Sequence, residues 1–276
     1  MTDLERSRAT VRGPAHPVSA YVSRPADGGA PRPGLIVIHE IWGLNAQIES
    51  VADRFAREGY AVVAPDLMGS DPQLAPSFAP EKVGAVMRFM RSLDPGRARD
   101  QAYQQQELAK LPEGDRAAVG GFYAVAMGGK LPFARFVEEL ASVHAYLAAQ
   151  PYVEPSRIGS LGFCFGGGMS ARLACTGKTQ ACVVFYGQNP DPIDLVEKMN
   201  CPFLGLYGGE DDRINSTLDQ LVGAMARYKK DFEMRIYPGA AHAFFNEASP
   251  ANYREAAARE AWARSLAFLE RSLGRS

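Results

Sequence analysis

Short, continuous apolar runs alternate along this chain with stretches whose apolar residues recur at helical spacing. "GLIVIHE" (34–40) and "YAVVAPD" (60–66) have the β-branched, uninterrupted character of strands buried on both faces. Between them, starting at Asn45, the residues Ile48, Val51, Ala52 and Phe55 follow helical spacing, and Gly59 ends the helix. "VSAYVSRP" (18–25) alternates and reads as an early strand at the start of the sheet. Strand–helix–strand order of this kind predicts a parallel sheet with right-handed crossovers.

Regularity then lapses. Segments 80–93 and 97–110 look helical, while "AAVGGFYAVAMGGKLPF" (117–133) is Gly-rich and apolar and fits neither period. Alternation resumes with a helix at 134–149, a strand at 157–163 and a helix from Gly166. Strands are expected at 181–186, 203–207 and 232–237, with helices at 216–230 and 252–272. No internal repeat or low-complexity linker divides the chain. The expectation is a single α/β domain over 1–276: a mostly parallel central sheet, helices on both faces, and an insertion or lid region at about 67–133.

Composition excludes more than it assigns. With 30 basic and 31 acidic residues the net charge is -1, so there is no polyanion-binding signature and no nucleic-acid partner is expected. The N-terminal "MTDLERSRATVRGP" lacks the apolar core of a secretory signal, and no run reaches the roughly 18 apolar residues of a membrane span, so a cytoplasmic location is expected. The spacings of Cys164, Cys175, Cys182 and Cys201 match no zinc-ligand pattern, and reduced thiols are the expectation. No metal or cofactor is implied.

One cysteine stands apart. In "SLGFCFGGGMSARLA" (160–174), Cys164 sits where an apolar strand ends and a helix begins, in the spacing Gly162-x-Cys164-x-Gly166. That is the spacing of the nucleophile elbow of α/β-hydrolases, where serine is the usual occupant. Functional groups in such sheets collect past the carboxyl ends of strands. Glu40, Asp211 in "LYGGEDD" and His242 in "YPGAAHAFF" all fall there. Cys164, Asp211 and His242 also follow the chain order of the α/β-hydrolase triad. A thiol becomes a good nucleophile once an imidazole takes its proton, and an aspartate can orient that imidazole. A helix beginning at Phe165 would favour the thiolate, and the Phe165 N–H with one from the turn after Glu40 would supply an oxyanion hole. Asp212 is the rival acid.

Other residues read as background. His16 and His144 lie on ordinary segments, and His39 is better suited to supporting the turn beside Glu40 than to catalysis. The Gly-Gly-Lys of "GGFYAVAMGGK" fails as a phosphate loop, because position 124 is Ala and position 131 is Leu. "HEIWGLN" lacks the glycines of a dinucleotide fingerprint.

Taken together, "HEIWGLN", "GFCFGG", "GGEDDRI" and "AAHAFF" resemble the dienelactone hydrolase family, cysteine-dependent members of the α/β-hydrolase fold. The resemblance runs from about residue 18 to about 270 and is weakest at about 67–97 and 111–133. It implies triad roles for Cys164, His242 and Asp211, and thiol activation by Glu40. It also implies an oxyanion-hole N–H from Ile41 and a pocket lined by Trp42. "RDQAY" (99–103) resembles the family's substrate-contacting helix, which makes Arg99 and Tyr103 the implied substrate-binding pair. One position departs: where the family carries a second carboxylate-binding arginine, this chain has Asn246. The expected activity is hydrolysis of a small ester or lactone through a thioester acyl-enzyme. A carboxylate-bearing enol-lactone is the leading substrate class, a broader carboxylesterase or thioesterase the alternative, and a non-catalytic ligand binder a more distant one. Oligomeric state has no signature in the sequence.

Overall fold

A computed structural model describes residues 2–94, 96–97, 100–126, 128–129 and 131–274. They form two compact units, Met1–Leu67 with Ala134–Ser276, and Met68–Phe133.

The larger unit opens with β1 (Leu4–Arg12), β2 (Pro17–Pro25), β3 (Arg32–Ile38), α1 (Ala46–Arg57) and β4 (Ala61–Pro65). Helix α1 starts where its sequence says it should. The Asn45 side chain accepts the Ile48 N–H at 3.2 Å, and Gly59 takes φ 101° just after the helix. The apolar stripe Ile48, Val51, Ala52 and Phe55 is buried.

The unit Met68–Phe133 is all-helical among its described residues: α2 (Ala75–Phe78), α3 (Pro80–Ser92), α4 (Gln101–Ala109) and α5 (Glu113–Ala126). Helix α4 begins later than the expected 97–110, because the Asp100 side chain accepts the N–H groups of Ala102 and Tyr103 and so fixes the first turn. The unclassified stretch 117–133 falls largely on α5, whose buried face is Ala118, Val119 and Phe122. Phe122 packs on Phe78 with ring centroids 5.1 Å apart. The glycines of that helix blurred its period.

The chain continues through α6 (Phe133–Ala148), β5 (Val153–Phe163), α7 (Phe165–Ala174), β6 (Ala181–Phe185), a 3₁₀ turn at Ile193–Lys198 and β7 (Phe203–Gly208). After these come α8 (Asp212–Asn215), α9 (Leu218–Arg227), β8 (Phe232–Tyr237) and α10 (Glu255–Leu273). The expected helix at 216–230 is α9; the short α8 precedes it, set off by Ser216 and Thr217, where Thr217 bonds back to Ile214.

The eight strands form one sheet in the order β1-β2-β4-β3-β5-β6-β7-β8. Pairings from β4 through β8 are parallel; β1 and β2 pair antiparallel, as do β2 and β4. Strand β1 escaped the sequence reading because its residues are mostly polar and exposed. As an edge strand with a partner on one side only, it needs no apolar face.

Side chains alternate between the two faces of the sheet. Leu35, Val37, Val183 and Phe185 join Val51 and Phe55 of α1 and Phe268 and Leu269 of α10 in one core. Cys182, Val184 and Phe203 join Ala171 of α7 and Leu221 and Met225 of α9 in another. Among the described residues no helix is long and apolar enough to cross a membrane.

Candidate active site

Strand β5 runs into Cys164, whose backbone sits at φ 54°, ψ -116°, a region that L-residues rarely occupy. Its N–H donates to Phe185 O at 2.9 Å, and its carbonyl accepts Gly168 N at 3.2 Å, which opens α7. So sharp a turn needs missing side chains around it. A Cβ on Gly162 would lie 2.0 Å from Gly166 O, and one on Gly166 would lie 2.3 Å from Ile38 O. Helix α7 therefore starts hard against the ends of β3 and β5, with its first, internally unpaired N–H groups beside the half-buried thiol. The Phe165 ring is held by stacking on His39 at 5.8 Å and by the edge of Phe136 at 5.5 Å.

Past the end of β7, Asn215 donates to Gly208 O and Gly209 O at 2.9 and 3.1 Å and shapes the turn that presents Asp211. Asp211 is buried; its neighbour Asp212 is exposed. His242 Nδ1 lies 2.5 Å from Asp211 Oδ2, across 31 residues of chain. A carboxylate only accepts, so Nδ1 carries the hydrogen and Nε2 is the nitrogen left to exchange a proton. Burial pulls the His242 pKa down. The Asp211 hydrogen bond and the nearby Cys164 sulfur overcome it and raise the value to about 10. The ring of Tyr186 meets the imidazole edge-on at 5.1 Å.

Glu40 follows β3 and is buried. Tyr186 Oη donates to its Oε1 at 3.2 Å, and Asn246 Nδ2 donates to its Oε2 at 2.5 Å. Burial raises the Glu40 pKa, against the lowering influence of Asn246, the His242 charge and Tyr186. A cleft lined by Glu40, Gln47, Ile48, Phe163, Phe245 and Asn246 leaves room there for roughly one water molecule.

The turn after Glu40 is pinned by its carbonyl, which accepts Gly43 N at 3.3 Å and lies 2.5 Å from His39 Nδ1. His39 Nε2 accepts the Leu67 N–H at 3.0 Å, so the hydrogen is on Nδ1 and both nitrogens are used. Burial lowers its pKa and keeps the ring neutral. His39 thus braces the turn. Since a trans peptide directs its C=O and N–H oppositely, the Ile41 N–H points away from that brace. Ile41 and Trp42 are both half-buried.

The structure thus gathers Cys164, Asp211, His242 and Glu40 at the carboxyl ends of neighbouring strands, with Ile41, Trp42 and Phe165 on the two turns. Tyr103 belongs to the unit Met68–Phe133. Its hydroxyl accepts Asp94 N at 3.1 Å, and the Arg97 guanidinium lies over its ring at 4.2 Å. Arg99 lies outside the described residues. Sequence reasoning missed Tyr186 altogether and treated Asn246 only as a lost arginine. The position of Tyr186 at the end of an expected strand was the available signal; nothing marked Asn246 as a partner of Glu40. Among the described residues no group of three or more His, Cys, Asp or Glu side chains could hold a metal ion.

A mostly parallel eight-stranded sheet with a strained strand–Cys–helix elbow defines an α/β-hydrolase. The model of the dienelactone hydrolase family matches residues 18–273. The chain belongs to that family and is a hydrolase of its kind. A Saccharolobus solfataricus protein that bears the name carboxymethylenebutenolidase is 34% identical over 92% of this chain and 94% of its own. An Escherichia coli K12 protein of the same name is 27% identical over 93% of this chain and 83% of its own. Among solved structures, one described as a dienelactone hydrolase from Klebsiella pneumoniae superposes with TM-score 0.71 at 26% identity, covering 97% of this chain and 98% of that one. The dienelactone hydrolase-like phosphotriesterase P91 from metagenomic libraries reaches TM-score 0.72 at 21% identity over 98% of this chain and 99% of its own, a likeness of fold.

Proposed function

We propose that this hydrolase cleaves a small ester or lactone through Cys164, with His242 and Asp211 as its proton-handling pair. The observation that carries the reading is the 2.5 Å His242–Asp211 contact next to a cysteine held at a strained elbow. The Cys164 thiolate attacks the carbonyl carbon, and the developing oxyanion is met by the N–H groups of Ile41 and Phe165. Collapse of the tetrahedral intermediate breaks the carbonyl–oxygen bond, and His242 protonates the departing alkoxide or enolate. In a lactone the leaving oxygen stays tethered to the acyl group. Water then adds to the thioester as His242 takes its proton, the carbon–sulfur bond breaks, and the acid leaves as the thiol is restored.

Glu40 is the thiol-activating carboxyl in this reading. Trp42 lines the acyl pocket, and Arg99 and Tyr103 bind the substrate's carboxylate. A carboxylate-bearing enol-lactone is the leading substrate class. One observation favours a second reading, a carboxylesterase acting on neutral esters: Asn246 gives its amide to Glu40 and brings no positive charge to the site.

Hydrolysis of a carboxylate-bearing enol-lactone and of a neutral p-nitrophenyl ester, by wild type and Cys164→Ala, tests both readings. Loss of both activities in the variant supports the thiol mechanism, and unchanged activity rejects it. The wild-type preference between the two substrates decides the class.

A further inference from the structure

The two edges of the sheet are built differently. Strand β1 exposes Glu5, Arg6, Arg8 and Arg12, the charged lining that keeps an open edge from pairing with another chain. Strand β8, the opposite edge, exposes Met234 and Ile236. Val222, on the helix that leads into β8, is exposed as well. With Met90, these are the exposed large apolar side chains among the described residues, and three of the four belong to β8 and α9.

Alternation along β8 sorts its residues onto two faces. Tyr237 packs in the core with Ala258, Ala261 and Phe268 of α10, and Glu233 pairs with Arg271 of that helix. Glu233, Arg235 and Tyr237 therefore share the α10 face. Phe232 packs against the core that includes Leu221 and Met225 of α9, so Phe232, Met234 and Ile236 share the α9 face. The strand thus has an apolar rim on one face and an alternating-charge rim on the other.

The backbone completes the pattern. Phe203 N donates to Asp231 O at 3.0 Å and Gly209 N to Tyr237 O at 2.8 Å, so the odd-numbered residues of β8 turn their peptide groups toward β7. The N–H and C=O groups of Phe232, Met234 and Ile236 turn outward, away from the sheet. An antiparallel partner must place outward-turned residues opposite outward-turned residues to exchange both hydrogen bonds. For two copies of this strand related by a twofold axis, only axes at Glu233, Met234 or Arg235 give a substantial overlap. An axis at Glu233 sets Glu233 against Glu233, and one at Arg235 sets Arg235 against Arg235. The axis at Met234 sets Glu233 against Arg235 twice, Met234 against Met234, and Phe232 against Ile236 twice. Arg271 bonds Oε1 of Glu233, and Oε2 remains for the opposite arginine.

We propose that β8 pairs antiparallel with β8 of a second copy of this chain, with the twofold axis at Met234, joining two eight-stranded sheets into one. The occupant follows from the strand's self-complementarity, since charge, apolar residues and hydrogen-bonding groups all match in one register. A closed, isologous dimer results, and the same contact cannot propagate to a third copy.

The test is sedimentation velocity on the full chain across a range of micromolar concentrations, with far-UV circular dichroism as a check that each variant is folded. Wild type is expected at twice the 29.9 kDa chain mass. Glu233→Arg and Arg235→Glu each create two like-charge contacts and should weaken the dimer about tenfold or more. Met234→Lys places two ammonium groups on the axis and should yield monomer. The double variant Glu233→Arg/Arg235→Glu restores the cross-strand pairs and should recover the dimer. A wild-type monomer at every concentration overturns the proposal. So does a dimer indifferent to all three single variants, which would be built on another surface, and so does a double variant that stays monomeric.

Discussion

Asn246 donates its side-chain amide to Oε2 of Glu40 at 2.5 Å, tying together residues 206 positions apart. Tyr186 takes the other oxygen at 3.2 Å, so the buried carboxyl has a neutral donor on each side. Removing one donor leaves a buried oxygen without compensation, which costs about 1–3 kcal/mol. Asn246→Ala should therefore lower the unfolding free energy, read from urea denaturation at neutral pH, by an amount in that range. Asn246 also restrains the Glu40 pKa, so the variant's deficit should be smaller near pH 4 than near pH 8. A deficit independent of pH would mean that lost packing, not the carboxyl, is responsible.

The four thiols should react unequally. Burial pushes Cys175 up to about 12 and Cys201 up to about 11, and it raises Cys182 well above the ordinary thiol range. All three are buried, whereas Cys164 is half-exposed beside a helix N-terminus. Brief treatment of the native protein with iodoacetamide at pH 8 should add one carbamidomethyl group, found by peptide mass spectrometry on Cys164. Even labelling across the four would remove the case for a special thiol.

His242 links stability to pH on the alkaline side. Its pKa is raised from the ordinary 6.5 to about 10, so its contribution is fully present below about 6.5 and is lost as pH rises through about 10. Wild type should lose about 2 kcal/mol more than His242→Gln between pH 7 and pH 10, after allowance for the ring's partial exposure. Chemical denaturation at the two pH values measures it; parallel losses would show that the imidazole holds no extra proton.

Glu139 on α6 gives the opposite opportunity. It is fully buried, with His16 Nδ1 at 3.4 Å and Arg135 Nε at 3.5 Å from its Oε1. Burial raises its pKa to about 7, with Glu138 adding and Arg135 opposing. The unfolded chain releases this proton near 4.5, so a penalty on the folded state builds between about 4.5 and 7 and persists above. Glu139→Gln should be neutral near pH 4 and stabilising by about 2–3 kcal/mol at pH 8, read from denaturant midpoints. A destabilised variant at pH 8 would mean that the attraction of Arg135 outweighs the burial.

Much of this architecture was legible in the chain because burial on both faces leaves an unmistakable trace: β3, β4, β6 and β7 are apolar at nearly every position. The elbow was legible because its glycines answer to backbone contacts that tolerate no Cβ. Strand β1 was not, since its stability comes from pairing with β2 while its side chains face water. Helix α5 was hidden by Gly120 and Gly121, which weaken the period without breaking the helix. Glu40 could be placed at a strand end, but its partners could not. Tyr186 and Asn246 reach it from just past the end of β6 and from the loop after His242, and no local pattern announces a contact made through the fold.

The backbone of Cys164 has a consequence for how this protein responds to change. A non-glycine residue at φ 54°, ψ -116° carries strain of about 1–3 kcal/mol, which glycine would relieve. Cys164→Gly should accordingly unfold at a higher urea concentration than Cys164→Ala, and a reversed order would locate the strain elsewhere. The sulfur proposed as nucleophile thus occupies a place that a sturdier version of the same fold would vacate. A search for heat-resistant variants scored on folding alone would drift toward a well-built protein that has lost the thiol on which the proposed chemistry depends.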